Sequence, residues 1–206
     1  MQRPRRSATS LQRGAAENLR VCSSAALAIR LASSDDLEAI AAIYNQGIED
    51  RVATLETETK SRDEIDDWWQ RHGGRHIVLV AVAGRYVVGW ASLNRFSSRC
   101  AHAEIADVSV YVERKFRGKG VGFALLSELA REAQRNGFRK LVLHALDGNE
   151  HGKRLYRKTG FREVGVFCEH GRIDGRYVDV VAMERLLTTA RPANCEDLGR
   201  AGFEPA

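Results

Sequence analysis

The stretch VSVYVERKFRGKGVGFALLSEL, residues 108–129, decides how this chain is read. Its first five residues end a segment, Glu104–Val112, that alternates with period two. Ala106, Val108, Val110 and Val112 fall on one side; Ile105, Asp107, Ser109 and Tyr111 fall on the other. That is the pattern of a strand with two unlike faces. A turn follows in which Gly118, Gly120 and Gly122 are interleaved with Arg114, Lys115, Arg117 and Lys119. Apolar residues then recur at Val121, Leu125, Leu126, Leu129 and Ala133, the spacing of a helix, which Asn136-Gly137 closes. A strand, a glycine turn and a helix in this order uncover backbone N–H groups at a helix N-terminus, an anion site suited to phosphate. The spacing is neither G-x-x-x-x-G-K-[ST] nor the dinucleotide-binding G-x-G-x-x-G with its later acidic residue. Taken alone, the turn is equally a glycine-rich connector with a solvated basic edge.

Patterned sequence extends to both sides of it. Ala28-Ile29-Arg30-Leu31 opens the region, and Ser33-Ser34-Asp35-Asp36 supplies capping chemistry for a helix carrying Leu37, Ile40, Ala41, Tyr44 and Ile48 on one stripe. Ser61 and Glu64 form a capping box for a second helix over 61–72, with Ile65, Trp68 and Trp69 on its apolar side and Gly73-Gly74 to stop it. The apolar runs His76–Ala83 and Tyr86–Leu93, joined at Gly84-Arg85, predict a β-hairpin. Beyond the central helix, Lys140–Ala145 reads as a buried strand. Asn149 caps a short helix with Leu155 and Tyr156, and strands are expected near Phe161–Cys168 and Tyr177–Met183. The irregular order of strands and helices argues against a doubly wound sheet.

With 44% hydrophobic and 29% charged residues in 206, the chain is long and apolar enough for one domain with a proper core, which excludes wholesale disorder. No apolar run approaches the ~18 residues of a membrane span. The net charge is +5, but residues 1–28 carry +4, residues 189–206 carry −1, and 29–188 carry only +2. The basic character therefore belongs to a tail, and a nucleic-acid-binding face is not expected. The domain is expected over 29–188. The Arg- and Ser-rich 1–28, whose composition is that of organelle transit peptides, reads instead as a disordered extension or a start codon set too early, and 189–206 as a loose tail. Cys22, Cys100, Cys168 and Cys195 lack metal-ligand spacing, so reduced cytosolic thiols and no metal are expected. His72, His76, His144, His151 and His170 fit no metal or triad motif and read as structural or exposed, and Lys153 and Arg154 as a solvated helix face.

Two motifs together are more telling than the turn alone. Arg117-x-x-Gly120-x-Gly122 after a strand resembles the acetyl-CoA signature of the GNAT N-acetyltransferase superfamily, and Asn149 with Leu155-Tyr156 and Gly160-Phe161 resembles the motif that follows it. Ile43-Tyr44-Asn45, Thr54-Leu55-Glu56-Thr57-Glu58, Ser109-Val110-Tyr111-Val112 and Gly175-Arg176-Tyr177-Val178-Asp179-Val180 are similar to segments of phosphinothricin-type acetyltransferases. This resemblance, over roughly 29–187, implies the GNAT acyl-CoA N-acyltransferase fold, an α/β (mixed α+β) domain whose central, mostly antiparallel sheet is flanked by helices.

It also implies acetyl-CoA as cosubstrate, no metal, a cytoplasmic homodimer, and a small amino-acid-like amine such as phosphinothricin, methionine sulfone, methionine sulfoximine or arsinothricin. Another small amine, a protein N-terminus, or CoA binding without catalysis are the alternatives. By the same resemblance, Ser109, Val110, Tyr111 and Val112 pair with the pantetheine arm. Arg117, Gly118, Lys119, Gly120, Val121 and Gly122 hold the pyrophosphate, and Asn149 contacts the pantetheine amide. Asp107 stands where the family has a Glu proposed as base, with Glu104 the second candidate. Tyr156, where relatives often have His, is the expected acid for the leaving sulfur. Glu56, Thr57, Arg75, Arg95 and Arg99 are the candidate substrate contacts, the arginines for an acidic substrate.

Overall fold

The computed structural model describes residues 26–187. The expected tail over 189–206 and all but the end of the expected extension over 1–28 lie outside them. The first strand already begins at Leu27. Seven strands form one sheet: β1 (Leu27–Leu31), β2 (Val78–Ala83), β3 (Tyr86–Arg95), β4 (Ile105–Val112), β5 (Lys140–Leu146), β6 (Arg162–Ile173) and β7 (Arg176–Leu186). Their spatial order is β1-β2-β3-β4-β5-β7-β6, and every neighbouring pair is antiparallel except β4 and β5. The helices are α1 (Leu37–Glu49), α2 (Arg62–Gln70), α3 (Val121–Arg135) and α4 (Glu150–Lys158). The mixed, mostly antiparallel sheet expected from the resemblance is the one observed.

The central strands are buried on both faces, which is why β2 reads as one unbroken apolar run rather than an alternation. Leu79 and Ala81 join Leu125, Leu126, Leu129 and Ala133 of α3 on one face. Val78 and Val80 join Leu37, Ile40, Ile43 and Ile65 of α1 and α2 on the other, with Trp90. Leu125 and Leu129 are fully buried, and each contributes about 2 kcal/mol of hydrophobic stabilisation. Gly89 on β3 lets α3 come this close. A Cβ there would lie 3.0 Å from the Tyr111 carbonyl and 3.1 Å from side-chain atoms of Val121 and Leu125.

The β4–β5 contact is short. Parallel pairing covers Ile105↔Lys140, Ala106↔Leu141 and Asp107↔Val142 and no further residue. On its other side β4 stays paired with β3 along its length, from Arg95↔Ala106 to Gly89↔Val112. Beyond Asp107 the sheet therefore opens along one edge of β4.

Cys168 is a free, exposed thiol, whereas Cys100 is disulfide-bonded, which corrects the expectation of reduced thiols at that position. Spacing along the chain does not report which thiols meet in space.

The join between β1 and α1 is electrostatic. Asp36 is buried, accepts two hydrogen bonds from the Arg30 guanidinium at 2.7 and 2.8 Å, and also accepts from the Ser33 amide at 2.8 Å. The bonds from Arg30 outweigh burial and hold the Asp36 carboxyl below its usual range. A depressed carboxylate contributes stability above its unfolded pKa and loses it as pH falls. Asp36→Asn should therefore destabilise the fold by about 2 kcal/mol at neutral pH. In urea melts the gap to wild type should be full above about pH 5 and close progressively below about pH 4; a gap independent of pH contradicts this account.

Candidate active site

The opening between β4 and β5 is a cleft of about 200 Å³, walled by Asp107–Tyr111 of β4, Leu143–Leu146 of β5, Tyr156 of α4, and Ala53–Leu55 from the connection between α1 and α2. Asp107 is the last β4 residue paired with β5, so its carboxylate stands at the vertex of the opening. Its Oδ1 is 3.8 Å from Nδ1 of His144. Burial pushes the Tyr156 phenol up to about 12, so at neutral pH it stays protonated and is a hydrogen donor. Burial likewise raises the Tyr111 phenol well above its ordinary value. Glu104, the second candidate base, lies against Arg139 at 3.8 Å, and its backbone carbonyl takes the Arg139 and Lys140 amides at the closed end of the strand pair. It is not among the residues that wall the cleft.

The turn after β4 is clamped to the C-terminal end of α1. Arg114 bonds Glu49 at 2.7 Å and Asp50 at 2.8 Å, and its backbone amide donates to the Gln46 side chain at 2.9 Å. Arg117 donates to Asp50 at 2.5 Å and to the Val112 carbonyl at 2.9 Å. Burial works to raise the Asp50 carboxyl, but hydrogen bonds from both arginines outweigh it and hold it low. Gly118 and Gly120 take φ of +74° and +85°, and a Cβ at either would meet nothing within 4 Å. Gly120 is the N-cap of α3. As at any helix start, the first amides of α3 have no intrahelical acceptor and the helix dipole stands behind them, an arrangement suited to phosphate. Asn149 accepts from the Gly152 amide at 2.9 Å as the cap of α4. Lys153, expected on a solvated face, is instead buried between Asp147 and Glu150, at 2.8 and 2.7 Å.

A second cavity, of about 330 Å³, lies between the sheet and the α1–α2 layer and shares Ser109 and Tyr111 with the cleft. Tyr44, Trp68, Trp90 and Tyr111 form its aromatic wall, with ring centroids 4.8–5.8 Å apart. Glu56, Lys60, Glu64, Asp67 and Arg71 supply its charge, and Lys60 already bridges Glu56 at 2.8 Å and Glu64 at 3.6 Å. Nε1 of Trp90 is buried without a hydrogen-bond acceptor among the described residues.

Of the expected site residues, Asp107, Ser109, Val110, Tyr111 and Tyr156 meet around the cleft, and Glu56 reaches the second cavity. Thr57 lines neither; its carbonyl accepts from Arg51 at 2.7 Å. The three arginines also stand apart from both cavities. Arg75 lies over the Phe138 ring at 4.1 Å, Arg95 donates to the carbonyls of Ser97 and Ser98, and Arg99 is an exposed loop residue. An Arg side chain is long, and its neighbours are set by tertiary packing that spacing does not encode. Sequence reading missed His144 and the aromatic wall. The signal for His144 was a lone polar residue in the apolar run Leu141–Leu146; Tyr44 and Trp68 were hidden as ordinary core-facing positions of amphipathic helices.

Among the described residues, no helix is long and apolar enough to cross a membrane, and no group of three or more His, Cys, Asp or Glu is placed to hold a metal ion. The family model of the acetyltransferase (GNAT) family matches residues 40–161. The chain is 31% identical to the L-methionine sulfoximine/L-methionine sulfone acetyltransferase of Salmonella typhimurium, over 82% of this chain and 100% of that protein. The crystal structure of a GNAT superfamily phosphinothricin acetyltransferase from Sinorhizobium meliloti, in complex with AcCoA, superposes with a TM-score of 0.76 at 30% identity, over 81% of this chain and 93% of that one. A ribosomal-protein-alanine N-acetyltransferase from Brucella melitensis does so with a TM-score of 0.75 at 33% identity, over 78% and 99%. A split sheet, a glycine turn suited to phosphate and these likenesses agree: the chain belongs to the acetyltransferase (GNAT) family and is an acetyl-CoA-dependent N-acetyltransferase.

Proposed function

We propose that this enzyme acetylates the α-amine of a small amino acid, of the kind named for its methionine sulfone and phosphinothricin relatives, by direct attack of the amine in a ternary complex. The meeting of Asp107 and Tyr156 in one cleft, with a second cavity opening beside it across Ser109 and Tyr111, carries this reading. Bound acetyl-CoA supplies the activated thioester carbonyl. The free edge of Ser109 to Val112 has backbone groups to offer its pantetheine arm, and the amides from Arg117 to Gly122 suit its pyrophosphate. Asn149 has its Oδ1 engaged by Gly152, which leaves its amide nitrogen for the pantetheine.

The attacking nitrogen has to be neutral. At pH 7 about one α-amine in seven is neutral, against about one lysine side chain in 2,500. An α-amine therefore asks for little help, and the Asp107 carboxylate at the vertex is suited to assist the loss of its proton through the group or water that stands between them. Tyr156, held protonated by burial, donates to the departing sulfur.

The second cavity is the natural seat for the acceptor's side chain. Of its five charged groups three are carboxylates, and Lys60 is already committed to two of them. An uncharged sulfone or sulfoximine suits it better than a phosphinate, and its oxygen would accept from the Trp90 indole N–H. We also propose a cytoplasmic homodimer. The apolar residues Val164, Val166 and Phe167, exposed on the edge strand β6, support the dimer.

Free CoA release on a panel of amines tests the function. Methionine sulfone should be turned over with a higher kcat/KM than phosphinothricin; release with no amino acid, or with peptide N-termini alone, overturns the reading. Asp107→Asn should lower kcat by about 100-fold with little change in acetyl-CoA affinity, within the usual span for general-base loss. Gly120→Ala forces an L side chain into the left-handed region at a cost of about 1 kcal/mol. It should lower Tm and weaken acetyl-CoA binding several-fold by calorimetry, whereas unchanged binding removes the turn from the site. Light scattering should give twice the chain mass, reverting to one on Val166→Lys.

A further inference from the structure

We propose that His144 is the group that takes the proton from the attacking amine, with Asp107 holding the imidazole; this rests on the cleft being the acetyl-transfer site. The geometry follows from the strand pairing. Asp107 is opposite Val142 in the last parallel pair, so their side chains share a face, and His144, two residues on, shares it too. Leu141, Leu143 and Ala145 alternate with them and are buried in the core beneath α3. Packing thus accounts for three residues of β5 and does not account for a histidine between them. The strands part immediately after Asp107↔Val142, and His144 stands on the far side of the opening, with its side chain 43% exposed in the cleft. Its Nδ1 is turned toward Asp107, 3.8 Å from Oδ1. The Phe167 ring lies 6.2 Å from the imidazole at an angle of 36° and is itself stacked on His170 at 4.8 Å.

The separation exceeds a direct hydrogen bond, as is common where catalytic contacts tighten only with substrate in place. A carboxylate on Nδ1 fixes the tautomer that leaves Nε2 as the acceptor. In the reaction the amine lone pair forms the new C–N bond to the acetyl carbon and the nitrogen's proton passes to Nε2 of His144. The C–S bond breaks with its electron pair going to sulfur, which takes the Tyr156 proton, and the imidazolium then returns a proton to the phenolate. No further reactant is required. In this arrangement Asp107 is a positioning residue, and one carboxylate serves two ends: it orients the ring and stabilises the cation that forms on it.

The test compares wild type, His144→Ala, His144→Gln and Asp107→Asn, with methionine sulfone as acceptor, and reads acetyl-CoA affinity from tryptophan fluorescence. Both His144 variants should bind acetyl-CoA as wild type does but fall at least 100-fold in kcat, and added imidazole should restore His144→Ala at least tenfold. Activity of His144→Ala within threefold of wild type, or no rescue by imidazole, overturns the proposal. A second reading needs no turnover. In ¹⁵N spectra of the free protein, His144 should carry its proton on Nδ1 and lose that preference in Asp107→Asn, and a ring protonated on Nε2 in wild type also overturns it. Failure of wild type to acetylate any amine, by contrast, strikes the function proposed above.

Discussion

The site depends on how briefly β4 and β5 pair. Three parallel residue pairs hold the two halves of the sheet together, and the fourth is never made. Main-chain amides and carbonyls left unpaired inside a protein are costly unless something else satisfies them. An edge exposed in the middle of a seven-stranded sheet is therefore a standing invitation to a ligand able to hydrogen-bond as a strand does, and the pantetheine arm is such a group. The same parting creates the cleft, sets Asp107 at its vertex and brings His144 across from it. Continued pairing would close all three at once.

A second constraint concerns the cations of the turn. Arg114 and Arg117 look like phosphate ligands in sequence, yet Arg114 is engaged with Glu49 and Asp50, and Arg117 with Asp50, at the end of α1. Exposed ion pairs are individually weak, typically below ~1 kcal/mol, but here two share the Asp50 carboxylate and a third reaches Glu49, so that together they fasten the turn to a helix. The arginines hold the shape of the loop, and that shape presents the amides of α3. On the function proposed above, phosphate would meet, rather than flexible side chains, a backbone whose conformation the positive φ of Gly118 and Gly120 has already set. A preformed site loses less entropy on binding.

How far all this was legible in the sequence follows from the range of each signal. The sheet and α3 were readable because period two and period 3.6 are local, and the capping box of Ser61 and Glu64 is made as expected, Ser61 accepting from the Glu64 amide. Asp107, Ser109, Tyr111 and Tyr156 converge because a motif carries its own geometry with it. The arginines were the weak part, since reach and partner depend on neighbours distant in sequence: Arg75 stacks on Phe138, 63 positions on. His144 was read as structural or exposed because it fits no metal or triad motif. Only the register shows that it shares a face with Asp107 and stands across the opening from it.

On the function proposed above, the two cavities divide the labour along the sheet. The cleft is lined from β4, β5 and α4 at the parting of the strands, whereas the second cavity is lined largely from α1, α2 and their connection, through Tyr44, Glu56, Lys60 and Trp68. Only Ser109 and Tyr111 belong to both. The chemistry is thus carried by backbone register, which tolerates little change, because slipping a strand by one residue would turn Asp107 into the core. The acceptor side is carried by side chains on two surface helices, which can be exchanged one at a time without disturbing the register. If the second cavity seats the acceptor as proposed above, a fold built this way can keep one acetyl-transfer reaction and vary its amine through the helix and loop residues that line that cavity.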